Sequence, residues 1–301
     1  MRFSVIICTY NREKYIAASL RAVCLQTFTD TNFELLMVDN NSPDNTKAVF
    51  DTIAAEYPEV QMRYILETEQ GISYARNRGI KEAGGEYIVF IDDDETIDDF
   101  YLEKLDNYLT AYSEAQLGAT AVLPVYETSE PKWMSHFTKR LITGYYYKGD
   151  KVKIVGPSDY PGTGHAIIKK ELFEQYGNFN TELGRKAKSL LGAEDKDMFL
   201  RLIENNVECY YFPGIPIYHH IPKEKLTVDF FKRITYSIGK SERIRTKMIS
   251  EKAFRNRVFS ECKKWIASVI LFAGYTVILS PNKGWKLLQF RWNVTKGLLG
   301  K

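Results

Sequence analysis

Four apolar, β-branched runs separated by helix-like stretches constrain this chain most. The runs are Phe3–Cys8, Phe33–Val38, Gln61–Leu66 and Glu86–Ile91, and the spacing predicts helices at about 13–26, 43–56 and 71–83. Ser42-Pro43 reads as an N-cap with proline at the first helical position. Ile72, Ala75, Gly79, Ile80 and Ala83 repeat at helical spacing. Such alternation gives the α/β class, a largely parallel sheet with helices on both faces. Ligands of these sheets bind beyond the carboxyl ends of the strands.

Those ends carry Thr9-Tyr10-Asn11-Arg12, Asp39-Asn40-Asn41-Ser42, Glu67–Gly71 and Asp92-Asp93-Asp94-Glu95. Three of the four are rich in hydrogen-bonding side chains, as a polar ligand requires. The acid run follows directly on a strand, and like charges so close raise one another's pKa or demand a cation. Hard divalent metals with oxygen ligands, Mg2+ or Mn2+, meet that demand. The alternative is a solvated turn in which Asp93 or Asp94 caps the next helix.

From about 119 the pattern changes to strands and loops: Ala119–Val125, a Gly/Pro-rich stretch Gly156–Gly164, and Ala166-Ile167-Ile168. Helices are expected at about 170–176 and 195–205, the second with Met198, Phe199, Leu202 and Ile203 on one face. Cys209–Phe212 and Ile217-Tyr218 read as two further short strands. Residues 1–222 show no repeat or low-complexity linker and are expected to form one compact unit in two halves.

At 301 residues the chain can bury a substantial core. Cys8, Cys24, Cys209 and Cys262 have no CxxC spacing, so reduced thiols are expected in place of disulfides or zinc ligands. With an N-terminus that runs straight into a strand, this points to the cytoplasm. The overall charge is +3, but residues 223–301 hold 18 Lys/Arg against 5 Asp/Glu, a net of +13, leaving −10 on residues 1–222. A basic tail suits a nucleic acid or an anionic membrane surface.

The strand ends, together with Ala75-Arg76-Asn77-Arg78-Gly79, Gly84-Gly85-Glu86-Tyr87, Gly162-Thr163-Gly164-His165-Ala166, Tyr176-Gly177-Asn178-Phe179 and Gly192-Ala193-Glu194-Asp195-Lys196-Asp197, occur in one order. Over about residues 1–222 the chain resembles family 2 of the glycosyltransferases, inverting enzymes of the GT-A fold. The resemblance implies a Rossmann-like mixed sheet flanked by helices, with a nucleotide-binding half at about 1–118, an acceptor-binding half at 119–222 and a helical tail at 223–301. It implies transfer of a sugar from a nucleotide-sugar donor, usually UDP-linked, to a hydroxyl of a glycan or lipid-linked acceptor.

By the same resemblance, Asp39 reads the nucleobase through its ring N–H, with Thr9, Tyr10, Asn11 and Arg12 against base and ribose. Arg76 lies near the base or diphosphate. Asp92 meets the ribose or metal-bound water, Asp94 ligates Mg2+ or Mn2+, and Asp93, also on the nucleotide side, is the variable position. Glu95 stands where relatives often have Asp. Asp195 is the general base, and Glu194 is the backup or an acceptor ligand. His219, or else His220, approaches the metal, and Gly162 and Gly164 approach the donor sugar. Each has a plainer reading: helix caps for Asp39 and Asp195, a surface-helix arginine for Arg76, structural histidines, and a tight turn at the glycines. Arg185, Lys186 and Lys188 are expected to meet an acceptor phosphate or to form a solvated loop. Trp133 and Tyr145-Tyr146-Tyr147 are expected to stack on sugars or to pack in the core.

In the tail, Trp265–Leu279 is an uncharged, mostly apolar run flanked by Lys263-Lys264 and Lys283, with Trp285 and Trp292 beyond. It is short for a membrane span and patterned for a helix lying in a membrane surface over 263–292. A hairpin packed on the catalytic domain or in a dimer is the alternative; nucleic acid is not an expected partner. Two rival functions remain at this stage. A sugar-phosphate nucleotidyltransferase would be expected to carry a Gly-rich loop after the first strand, which Thr9–Arg12 lacks. A non-catalytic nucleotide- or metal-binding module would show no donor turnover.

Overall fold

The computed structural model describes residues 1–28, 32–186 and 190–301, which divide into two compact units. The first comprises Met1–Leu123, Tyr146–Glu182 and Glu194–His220, and the second comprises Pro124–Tyr145, Leu183–Ala193 and Ile221–Lys301.

In the first unit the strands β1 (Phe3–Thr9), β2 (Phe33–Asp39), β3 (Met62–Leu66) and β4 (Tyr87–Asp92) lie parallel in the order β3-β2-β1-β4. The helices between them are α1 (Ile16–Cys24), α2 (Thr46–Glu56) and α3 (Ile72–Glu82), as the alternation predicted. Successive side chains of a strand point to opposite faces, and the core divides accordingly. Phe3, Val5, Ile7, Leu35, Met37, Val89 and Ile91 pack with Ile16, Leu20 and Val23 of α1. Ile6, Leu36, Val38, Ile88 and Phe90 pack with Ala75 and Ile80 of α3. A Cβ on Gly79 would come within 2.8 Å of Ile6, so glycine sets how closely α3 approaches the sheet.

The sheet does not stay parallel. Beyond β4 the order continues β8 (Ala166–Lys169), β6 (Leu117–Tyr126), β9 (Cys209–Ile221) and β5 (Glu95–Ile97), with β7 (Lys153–Val155) pairing β9. The recorded pairings of β8 with β4 and β6, and of β9 with β5 and β7, are antiparallel. The nine-stranded sheet is therefore mixed, as the resemblance implied, and parallel over β3-β2-β1-β4, where the alternation predicted it. The two short strands expected at 209–212 and 217–218 are one strand that continues through Pro213 and Gly214, the glycine at φ 71°. The acid run caps no helix: it turns directly into β5, and α4 (Tyr101–Ala111) starts later. Nor does Ser42 cap α2, whose N-cap residue is Asn45. The Ser42 hydroxyl accepts from the Asn11 amide at 2.9 Å, while Asp44 Oδ1 accepts from the Thr46 amide at 3.1 Å.

The second unit holds α5 (His136–Thr143) and three long helices, α8 (Val228–Ile249), α9 (Glu251–Val277) and α10 (Pro281–Leu299); α6 (Glu171–Tyr176) and α7 (Glu194–Glu204) belong to the first. Thr227 and Ser250 cap α8 and α9, accepting from the Phe230 and Ala253 amides. Gly239 and Gly297 let α8 and α10 touch backbone to backbone, since a Cβ on Gly239 would lie 2.0 Å from the Val294 carbonyl oxygen. Inside the bundle Glu242 accepts from Arg245 and Arg257, and Glu261 from Arg257 and Arg291. Among the described residues no helix is long and apolar enough to cross a membrane.

Candidate active site

The parallel register brings the ends of three strands level: Thr9 stands opposite Asp39, and Cys8 opposite Asp92. The loops after β1 and β2 are tied together, with Glu13 N–H donating to Asp44 and Asn45 N–H to Glu13. Asn11 and Asn41 take left-handed backbone at φ 56° and 60°, which asparagine tolerates better than most residues. Asp39 is buried; its oxygens accept from the Ser42 amide at 2.9 Å and the Tyr64 hydroxyl at 2.7 Å. Burial and the bond to Asp39 raise the Tyr64 phenol, keeping it a donor. An ionised carboxylate has about four acceptor sites, so Asp39 retains capacity for a ligand. Tyr10 is exposed at the rim.

At the end of β4 the acid run folds on itself. Glu95, buried, accepts from the Asp92 amide at 2.9 Å. Arg12 reaches both Asp93 and Asp94 at 3.5 Å, and His219 Nε2 lies 3.3 Å from Asp94 Oδ1. His220 turns to the Thr96 hydroxyl at 3.0 Å, and burial and then His219 lower its pKa. Of the two histidines it is His219 that meets the acids. Burial, with Asp94 adding to it and Arg12 opposing, pushes Asp93 up to about 7. Asp92 keeps 48 % of its side-chain surface, which tempers an upward shift caused by desolvation and then by Asp94 and Asp195, against the pull of Arg76. Asp93, expected on the nucleotide side as the variable position, is in contact with Arg12.

A second group of acids faces this one. Asp195 and Glu194 open α7, where the helix dipole favours negative charge. Arg76, buried on α3, donates to Asp195 at 2.7 Å and Glu194 at 3.2 Å, lies 4.0 Å from Asp92, and sits over the Phe179 ring. Burial opposes its charge, but Asp195, Glu194 and Asp92 outweigh that cost and hold its pKa above normal. The structure puts Arg76 on carboxylates, Asp92 of the strand-end acid run among them. Thr163 completes the cradle, its amide donating to Asp195 at 3.1 Å and its hydroxyl at 2.5 Å. His165 holds that loop, accepting from the Gly162 amide at 2.9 Å and lying 2.9 Å from the Thr120 carbonyl oxygen.

The two glycines of the loop differ. A Cβ on Gly164 would fall 2.6 Å from Asp92 and 2.9 Å from Glu95, so only glycine fits beside the acids; at Gly162 the nearest atoms would be an ordinary 3.6 Å away. Arg185 and Lys186 belong to the second unit, and Lys188 lies outside the described residues. Trp133 packs on Phe231 at 5.3 Å, and Tyr146 is buried with its hydroxyl on the Asp159 carbonyl oxygen, so both serve cores. The roles of Glu95, Thr163, Tyr64 and Phe179 had escaped the sequence reading. Thr163, Phe179 and Glu95 stood within motifs read in the sequence, but nothing in their positions showed these contacts; Tyr64 carried no signal.

Among the described residues no three His, Cys, Asp or Glu side chains converge as a ready cation cage. Mg2+ and Mn2+ bind through one or two carboxylates and complete their shell with water and substrate phosphates, so a site here would rest on the carboxylates of Asp94 and Asp92, with His219 3.3 Å from Asp94.

An α/β sheet with a crevice of carboxylates and arginines at its parallel strand ends describes a nucleotide-sugar transferase fold. The profile "Glycosyl transferase family 2" matches residues 4–177, more than half of the chain, and the protein belongs to that family. It is 34 % identical over 106 residues to the minor teichoic acid biosynthesis protein GgaB of Bacillus subtilis, covering 35 % of this chain and 12 % of that relative. It is 23 % identical over 262 residues to the glucosyl-dolichyl phosphate glucuronosyltransferase of Haloferax volcanii, covering 81 % of this chain and 77 % of the relative. Among solved structures, the mannosyltransferase PcManGT of Pyrobaculum calidifontis with GDP-Man and Mn2+ superposes with TM-score 0.66 at 19 % identity, over the whole of this chain and 88 % of that one. Residues 1–349 of S. aureus TarS with UDP give 0.58 at 17 % identity, over the whole chain and 92 % of the other. These likenesses establish the GT-A fold.

Proposed function

We propose that the protein is an inverting, divalent-metal-dependent glycosyltransferase that moves a sugar from a nucleotide donor, UDP-linked, to a hydroxyl of a glycan or lipid-linked acceptor. The observation that carries this reading is the facing of two acid groups, Asp92–Asp94 with His219 on one side and Asp195 cradled by Arg76 and Thr163 on the other. Inverting transfer needs this division, since one set of groups serves the leaving diphosphate and a separate base takes the acceptor proton.

Asp39, with Thr9, Tyr10 and Asn11 beside it, accepts the ring N–H of the uracil. Arg12 neutralises part of the charge of Asp93 and Asp94. Asp94, His219 and Asp92 would hold Mg2+ or Mn2+, which supplies Lewis-acid stabilisation to the departing diphosphate. Asp195 takes the proton from the attacking hydroxyl at its carboxylate oxygen. The contacts from Arg76 and Thr163 fix its orientation. Glu194, also on Arg76, lines the acceptor side, and the loop of Gly162 and Gly164 lies against the donor sugar. GDP-Man with Mn2+ in PcManGT and UDP in TarS support the donor class.

A thermal-shift screen of UDP- and GDP-sugars with Mn2+ or Mg2+ tests the reading, because a ligand bound only by the folded state raises stability by mass action. A UDP-sugar that stabilises the wild type with metal, and fails to stabilise Asp94→Ala, is expected. No stabilisation by any nucleotide sugar contradicts it.

A further inference from the structure

The α9–α10 hairpin of the second unit leaves a large apolar surface uncovered. From Trp265 to Asn282 there is no charged residue. Ile266, Ile270, Val277, Ile278 and Leu279 are exposed, Val277 at 81 % and Leu279 at 90 %. Ile266, Ile270 and Val277 recur at helical spacing and form a stripe leading into the turn between the helices. The stripe is not a face that α10 was meant to cover. That helix already packs on α9: Trp265 Nε1 donates to Thr295 at 2.9 Å, Phe272 meets Trp285 edge-on at 6.4 Å, and a Cβ on Gly284 would come within 2.9 Å of Phe272.

The rim has a different chemistry. Lys263 and Lys264 precede the run and Lys283 follows it, while Trp285 and Trp292 stand more than half exposed on α10. Lys263 lies over Phe259 at 5.4 Å and Lys296 over Trp292 at 5.2 Å. Of the acids in this tail, Glu242 and Glu261 are buried against Arg245, Arg257 and Arg291 within the bundle, so most of the net +13 of residues 223–301 lies outside that cluster. The helical part of the uncharged run, Trp265–Val277, is about 20 Å long at 1.5 Å per residue, against about 30 Å of bilayer hydrocarbon, so it is too short to cross.

We infer that the α9–α10 hairpin is a docking site for an anionic lipid surface. Ile266, Ile270, Val277 and the Ile278-Leu279 turn enter one leaflet's acyl boundary, the tryptophans sit at headgroup level, and the lysines meet lipid phosphates. A second copy of the chain fits less well, because self-pairing would bring two lysine-rimmed faces together with no acidic complement.

Flotation of the full chain with vesicles tests this, comparing phosphatidylcholine alone with phosphatidylcholine plus phosphatidylglycerol. The wild type is expected to float with the anionic vesicles, to float poorly with the neutral ones, and to be released by salt. Ile270→Glu and Leu279→Glu each remove a large exposed apolar contact and should lower partitioning about tenfold or more. Circular dichroism and membrane-free donor turnover of these variants should match the wild type. A blue shift of tryptophan emission on vesicle binding, lost in Leu279→Glu, is the second readout. Failure of the folded wild type to float with anionic vesicles overturns the inference, as does equal flotation of the variants. So does a wild-type dimer that Ile270→Glu dissociates while neither protein binds lipid.

Discussion

Two clusters of charge, one in each unit, obey the same electrostatics and differ in balance. In the sheet unit, among the described residues, Asp92, Asp93, Asp94, Glu194 and Asp195 meet Arg12, Arg76 and His219, so the carboxylates outnumber the arginines there, and Asp92 keeps half its surface. In the helical unit Glu242 and Glu261 are shared among Arg245, Arg257 and Arg291, all closely packed. Burying a charge is costly unless it is paired. The helical network meets that demand with its own arginines, and the pairing holds helices together. The sheet cluster, among the described residues, gathers more carboxylates than arginines at the strand ends, an arrangement suited to a cation and a phosphorylated ligand.

The comparison breaks if mutations in the two clusters have the same consequences. Asp195→Asn should show the largest effect, lowering kcat by about a hundredfold to ten-thousandfold while leaving donor binding intact, as loss of a general base does; steady-state kinetics with a thermal-shift control measures it. Glu261→Ala removes the carboxylate that Arg291 donates to and leaves Arg257 only Glu242, and should cost about 3–5 kcal/mol of stability by urea denaturation, with kcat per folded molecule unchanged. Arg76→Met sharpens the contrast, since its arginine serves carboxylates that must stay reactive. Without it the Asp195 and Glu194 carboxylates lose their shared donor, and kcat should fall about tenfold to a hundredfold with donor binding retained, read by the same kinetics and thermal-shift control. Asp93→Asn should be mildest, less than about fivefold in kcat/KM, because it removes only a 3.5 Å contact with an arginine that Asp94 also engages.

The parallel half of the sheet was readable because buried strands appear as unbroken apolar runs and their turns as polar clusters. The antiparallel half was readable only in part: β6, β8 and both ends of β9 were expected as strands, β5 and β7 were not. β5 and β7 are three residues each, β5 starts on a buried glutamate, and Pro213-Gly214 interrupts the apolar pattern of β9 without ending the strand. The Ser42-Pro43 signal misled because the serine hydroxyl was already taken by the loop after β1, a contact between segments that no local pattern records. In the site, Asp92, Asp94 and Asp195 could be picked out from motif order and strand ends. The contact of Arg76 with Glu194 and Asp195 could not, because it joins residues more than a hundred positions apart through the packing of α3 and α7.

The central claim is that one acid group holds the leaving nucleotide while Asp195 takes the proton. Turnover of the donor found by the thermal screen, followed with an acceptor hydroxyl in the wild type, Asp94→Ala and Asp195→Asn, tests it most directly. The account predicts metal-dependent turnover in the wild type. It also predicts loss of both turnover and metal-dependent donor binding in Asp94→Ala, and loss of turnover with binding retained in Asp195→Asn. Wild-type rates in Asp195→Asn, or metal-independent turnover in the wild type, would contradict it.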